Sequence, residues 1–216
     1  MAGQSKRVAV FIDWQNAYRS ARRAFGIDGM PSEHGNFCPF NLGRILAFGN
    51  GRGADGSLCK VQVHRGLPTS SKDPTGHGAC RRQAADWQKT SPVVQVHLRP
   101  LRYRPTYPAD PPVEKGIDVQ LALGLVECVT AGKCDVAILL SNDTDLLPAV
   151  ETVARLAGTD AIETAAWSTG ASSQRLRPKL PIYHHHITED VFRRVERRIN
   201  YAHASAKGAI AGRGGR

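Results

Sequence analysis

The chain has no apolar run near the roughly 18 residues that a membrane span needs. Its first residues, Met1-Ala2-Gly3-Gln4-Ser5-Lys6-Arg7, do not form the pattern of a signal peptide. No two cysteines are spaced Cys-x-x-Cys. Cys38, Cys59, Cys80, Cys128 and Cys134 are scattered and odd in number, which argues against both a disulfide framework and a zinc ribbon. Together these absences predict a soluble, cytoplasmic protein with reduced thiols and no membrane partner. Acidic residues are also outnumbered, 19 against 29 basic ones, for a net charge of +10. Such a balance favours polyanions, because each Lys or Arg placed on a phosphate releases counterions. Nucleic acid is the first partner class to consider.

What is present is enough for one packed domain: 216 residues, 41% of them hydrophobic. We expect the domain over residues 6–200 and a basic, Gly/Ala-rich, disordered tail over residues 201–216. Self-association into a homo-oligomer is compatible with the sequence. Val136-Ala137-Ile138-Leu139-Leu140 reads as a strand buried on both faces, as in a parallel sheet. It stops at Ser141-Asn142-Asp143-Thr144-Asp145, and helical spacing resumes through Val150, Val153 and Leu156. One helix cap accounts for one of these two carboxylates and leaves the other for solvent or a ligand. The N-terminal run Arg7-Val8-Ala9-Val10-Phe11-Ile12-Asp13 repeats the pattern of strand, terminal Asp and helix, the helix expected over Ala17–Phe25.

Between these units the spacing predicts a helix from Leu42 to Phe48 capped by Asn41, a strand from Leu58 to His64, and a loop from Gly66 to Gly78. A helix over Ala79–Lys89 and a strand over Val93–Leu98 follow. Arg99-Pro100-Leu101-Arg102-Tyr103-Arg104 interleaves cations with an aromatic, a composition that suits a single nucleic-acid strand and equally a solvated edge strand. Val119–Thr130 is the next expected helix, with Asp118 in its first turn. Gly158–Trp167 should form a strand, Ser172–Leu176 a helical turn, and Thr188 to about Tyr201 a last helix. His184-His185-His186 reads as surface or phosphate-contacting rather than metal-binding, since adjacent residues cannot all face one ion. Alternating strands and helices imply a Rossmann-like α/β/α architecture with a mostly parallel sheet, and Asp13, Asp143 and Asp145 then lie at strand carboxyl ends. Carboxylates gathered there repel one another, and hard divalent cations such as Mg²⁺ or Mn²⁺ are the usual compensation.

Phe11-Ile12-Asp13-x-x-Asn16, Lys115-Gly116-Ile117-Asp118 and Ser141-Asn142-Asp143-Thr144-Asp145 resemble the three signature blocks of the NYN domain, a branch of the PIN-like nucleases. Gly66-Leu67-Pro68 and Arg99-Pro100-Leu101 resemble its connectors, and the resemblance spans about residues 7–167. It implies a PIN-like fold and metal-dependent cleavage of RNA. By position it implies Asp13, Asp118, Asp143 and Asp145 as metal ligands and catalytic residues, with Asn16 orienting the site and Ser141 supporting the Asp143 loop. Lys115, Ser141, Arg99, Arg102, Arg104 and Tyr103 are the expected substrate contacts. Two positions depart from the family pattern: Asn142 stands where Gly is frequent, and Gly124 where a further Asp is frequent, with Glu127 near enough in sequence to replace it. The alternative reading is an RNA-binding module with weak or no catalysis. A small-substrate phosphatase is disfavoured by Gln15, which stands where that chemistry wants a second acid.

Overall fold

The computed structural model describes residues 5–53, 56–169 and 175–203. The first half of the chain runs β1 (Lys6–Asp13), α1 (Trp14–Ala24), α2 (Pro39–Phe48), β2 (Gly56–Leu67), α3 (Pro74–Thr90) and β3 (Val94–Pro100). The second half runs α4 (Ile117–Thr130), β4 (Val136–Leu140), α5 (Leu147–Ala157), β5 (Ile162–Trp167), β6 (His184–Ile187) and α6 (Glu189–Val195). The six strands form one sheet in the order β3-β2-β1-β4-β5-β6, and every pairing is parallel. Strand order reverses between β1 and β4, the switch point where open α/β sheets place their ligands. Among the described residues no helix is long and apolar enough to cross a membrane.

The unbroken apolar runs of β1 and β4 are explained by burial on both faces. Val8, Val10 and Ile12 with Val136, Ile138 and Leu140 enter the core beneath α1, α2, α3 and α6. Ala9 and Phe11 with Ala137 and Leu139 enter the core beneath α4 and α5. The first core is dominated by aromatic rings: Trp14 packs against Trp87 and Phe37, with centroids 4.3 and 4.8 Å apart, and Trp167 meets Phe37 and Phe192 edge-on. The buried Trp167 indole N–H donates to the Ala17 carbonyl at 2.8 Å, so α1 is hydrogen-bonded to β5 as well as packed.

Several element ends differ from the sequence-based expectation, each through a local bond or a tertiary one. Helix α1 starts at Trp14, not Ala17, because Asp13 caps it. Helix α2 starts at Pro39, whose fixed φ suits a first turn, so Asn41 lies within the helix rather than capping it. The expected loop over 66–78 is shorter: β2 continues to Leu67, and α3 begins at Pro74 after Asp73 accepts from the Gly76 N–H at 2.7 Å. A 3-10 turn at Thr159–Ala161 precedes β5. Helix α6 ends at Val195 because the chain beyond pairs elsewhere: Cys38 N–H donates to the Val195 carbonyl and Arg197 N–H to the Asn36 carbonyl. The packed chain reaches Tyr201, whose hydroxyl donates to Asp86 at 2.6 Å. The helical turn expected over Ser172–Leu176 lies largely outside the described residues, as does the tail from residue 204.

The three histidines form β6, and their strand alternation separates them. His186 is exposed, whereas His185 is buried with Nε2 2.7 Å from Glu163. This corrects the reading of the whole run as surface. Glu163 is also bound by Arg52 through both carboxylate oxygens, at 2.5 and 3.0 Å, and by Asn50 at 2.6 Å. Although burial opposes its charge, these donors hold the Glu163 carboxyl down at about pH 2. Arg52→Ala should therefore destabilise the fold by about 3 kcal/mol in urea unfolding, since it leaves a buried carboxylate without its main partner. The stability that Glu163 contributes is present above the usual carboxylate range and drains away as pH falls from about 4.5 toward 2. A titration of the unfolding midpoint should show that acid loss in the wild type and not in Glu163→Gln.

Candidate functional site

The tips of β1 and β4 are side by side because Ile12 pairs with Leu140 in register. Asp13, only 4% exposed, therefore lies against Ser141. The Ser141 hydroxyl donates to Asp13 Oδ2 at 3.0 Å and accepts from the Asp143 N–H at 3.1 Å. Asp13 Oδ1 accepts from the Asn16 N–H at 3.2 Å, closing the first turn of α1. Asn16 in turn receives the Asn142 N–H on its side-chain oxygen at 3.1 Å. Asp143 accepts from the Asp145 N–H at 3.0 Å and so caps the 3-10 turn Thr144–Leu146 that leads into α5. Both capping aspartates thus keep lone pairs free on oxygens whose positions are already set.

The third acid arrives from a distant part of the chain. Gly116 adopts a left-handed backbone, φ 74°, to start α4, and a Cβ there would lie 3.2 Å from the Arg99 guanidinium. Arg99 holds this turn by donating to the Lys115 carbonyl at 2.8 Å. Asp118 then stands in the first turn of α4, and one carboxylate oxygen from each of Asp13, Asp118 and Asp143 lies within 4.8 Å of the others. None of the three forms an ion pair with Lys, Arg or His among the described residues. Their cavity, about 240 Å³, is also lined by Gln15, Asn16, Arg19, Arg23 and Glu114.

Burial, followed by the negative charges of Asp118 and Glu114, pushes the Asp13 carboxyl up to about 7, against the lowering effect of its hydrogen bonds. Burial and then the charges of Asp143 and Asp145 raise Asp118 as well. Three converging carboxylates without an ion-pair partner among the described residues fit a hard divalent cation. Asp13, Asp118 and Asp143 are the residues that would hold such an ion, since each offers a carboxylate oxygen to the same point.

The expected residues fare unequally. Asp13, Asp118, Asp143, Asn16 and Ser141 are brought together. Asp145 is exposed, and its oxygens are not among the three that converge. Arg99 supports a turn, Arg104 lies 4.0 Å from Asp110, and Arg102 bridges to Val113 through its backbone. Tyr103 meets Tyr107 edge-on at 4.8 Å, with Lys72 over both rings. These residues and Lys115 do not line the acidic cavity; Arg19 and Arg23 do. Glu127 is exposed and paired with Lys133 at 2.5 Å, so it does not complete the acidic set. Gly124 lines a different cavity with His64 and His97, and a Cβ there would lie 3.0 Å from Gln62 Oε1. The acid missed in the sequence is Glu114, which accepts from the Gly66 N–H at 2.9 Å and lies on the rim of the cleft. Its signal was its position four residues before Asp118, just after Pro105, Pro108, Pro111 and Pro112.

An all-parallel three-layer α/β/α fold with three carboxylates gathered at its switch point defines an α/β protein whose candidate site lies at strand carboxyl ends. More narrowly, the NYN domain model matches residues 7–177, and the chain belongs to that family, within the PIN-like nuclease superfamily. Among curated proteins none matches the chain. A crystal structure of a protein of unknown function from Vibrio parahaemolyticus is similar in fold, with a TM-score of 0.55 and 15% identity over 88% of this chain and 96% of that one.

With Asp13 protonating near neutrality, the metal-free fold binds a proton that the unfolded chain releases near pH 4. Its stability should therefore fall as pH rises from about 4 toward 7. Differential scanning in chelator should show the melting temperature dropping across that window, and Asp13→Asn should flatten the drop. Mn²⁺ or Mg²⁺ should raise the melting temperature most at and above neutral pH.

Proposed function

We propose that the chain is a metal-dependent endoribonuclease that hydrolyses phosphodiester bonds of single-stranded or structured RNA. The observation that carries this reading is the convergence of Asp13, Asp118 and Asp143 on one point at the sheet's switch point. Those three carboxylates would hold Mg²⁺ or Mn²⁺, with Asp145 and Glu114 on the periphery. A divalent cation bound there supplies Lewis-acid stabilisation of a phosphoryl oxygen and a water of lowered pKa.

The remaining work belongs to the chain's own groups. Ser141 and Asn16 keep the β1 and β4 tips from separating under carboxylate repulsion, so the acids are preorganised before any ligand arrives. Arg19 and Arg23, on the walls of the same cavity, offset the negative charge of an entering phosphodiester. Farther out, Arg102, Arg104 and the Tyr103–Tyr107 pair with Lys72 offer cations and ring faces to an unpaired strand. A net charge of +10 raises the local concentration of RNA around this acidic spot. The five cysteines are free, which suits a reducing compartment such as the cytoplasm.

Incubation with end-labelled RNA in Mg²⁺ or Mn²⁺ should yield internal cuts that chelator abolishes. Asp143→Asn should lower the cleavage rate by at least about a hundredfold, the scale expected when a ligand of a catalytic metal is lost. Cleavage that persists through both controls would sink the assignment. RNA retention without any cleavage by the wild type would transfer the reading to a binding module.

A further inference from the structure

Arg65, near the carboxyl end of β2, is a charged group whose surroundings do not account for its charge. It is largely buried, yet it forms no ion pair among the described residues. Its guanidinium has one hydrogen bond, from Nη1 to the neutral Gln83 side-chain oxygen. Its Nε is shielded from solvent and has no hydrogen-bond partner. The Trp14 ring lies beneath the guanidinium at 5.8 Å, a contact that favours a cation and supplies no anion. Glu114 is the nearby acid and favours the Arg65 charge from a distance, but it forms no ion pair with the guanidinium, and its Oε1 accepts from the Gly66 N–H. A buried cation with a neutral partner and an idle donor is costly to fold around, and burial lowers its affinity for its own proton.

Arg65 stands at the junction of two cavities. One, about 500 Å³, is shared with Gln15, Arg19 and Glu114, and those three residues also line the acidic cavity. The other, about 250 Å³, is shared with Trp14, Tyr18, Asn36 and Gln83. Gln15 borders all three spaces. The cavity lined by Arg65 therefore adjoins the one lined by the three aspartates, with Gln15, Arg19 and Glu114 common to both. Two arginines, Arg19 and Arg65, line one cavity beside the acidic cluster, and the planar fork of Arg matches phosphate oxygens.

We propose that Arg65 anchors a phosphate-binding subsite beside the acidic cluster, holding the backbone phosphate that flanks the bond under attack. The proposal rests on the reading of the chain as an RNA phosphodiesterase, and it makes the substrate a strand that carries a phosphate next to the scissile one. An incoming phosphate supplies the direct ion pair that Arg65 lacks among the described residues. The guanidinium is held in place by Gln83 and Trp14 beforehand, so little side-chain freedom is lost on binding.

The test measures binding and cleavage separately. A fluorescently labelled single-stranded RNA with hydroxyl ends is titrated by polarisation in chelator at several salt concentrations, with the wild type, Arg65→Met and Arg65→Gln. Both variants should bind about tenfold more weakly and lose about one phosphate from the salt slope. Inorganic phosphate should raise the melting temperature of the wild type and not that of the variants. Arg65→Gln retains a donor for Gln83 and serves where Arg65→Met fails to fold. Unchanged affinity and salt slope in a folded variant overturn the subsite, as does a phosphate-induced thermal shift that persists without Arg65. Wild-type cleavage combined with those results leaves the nuclease reading standing without the subsite. Weakened binding by the variants with no cleavage by the wild type removes the nuclease reading and leaves the subsite.

Discussion

The Ser141 hydroxyl is the point on which the site's geometry depends. It donates to Asp13 and accepts from the Asp143 backbone, so a single small side chain spans the tips of β1 and β4. Without it, two carboxylates at adjacent strand ends would be free to relieve their repulsion by moving apart. The Asn16–Asn142 bond runs alongside and ties the first turn of α1 to the same loop. Both bonds require β1 and β4 to be neighbours, which in turn requires the sheet order to reverse between them. Topology thus brings the acids together, and hydrogen bonds keep them there.

The same residues serve the fold and the site. Asp13 and Asp143 were each expected either to cap a helix or to serve chemistry; each caps a helical turn and also presents an oxygen to the acidic cluster. Each closes a helical turn with one oxygen and still has lone pairs to offer. This removes the conflict between the capping and functional interpretations. The carboxylate left over in the sequence, Asp145, is the exposed one. Position in a motif therefore did not rank the acids; which side chains point into the cleft did.

The departure at Gly124 has a structural counterpart. A Cβ there would press on the Gln62 side chain, and the residue faces the cavity of the stacked His64–His97 pair rather than the aspartates. The acidic complement near the cluster comes instead from Glu114, on the loop just before α4. The cationic complement is likewise local: Arg19 and Arg23 lie on α1, roughly two and three turns beyond the Asp13 cap. The basic edge at Arg99–Arg104 is partly structural, since Arg99 holds the turn that presents Asp118.

Local chemistry made much of this legible in advance. The buried strands are legible as continuous apolar runs, the pattern of a parallel strand covered on both faces, and Asp13 and Asp143 follow where those runs end, whereas Asp118 was placed in the first turn of a helix. The family blocks added the likeness to PIN-like nucleases. Other features depended on partners far along the chain. The early end of α6, the division of the histidine run, the place of Glu114 and the unpaired charge of Arg65 each depend on which segments lie side by side. Tertiary pairing overrode helical periodicity after Val195 because the Val195 carbonyl accepts from the Cys38 N–H and the Arg197 N–H donates to the Asn36 carbonyl. The sequence alone determined that acids would lie at strand ends; only the folded chain decided which would share a point in space, because strand order and hydrogen-bond register act between residues more than a hundred positions apart.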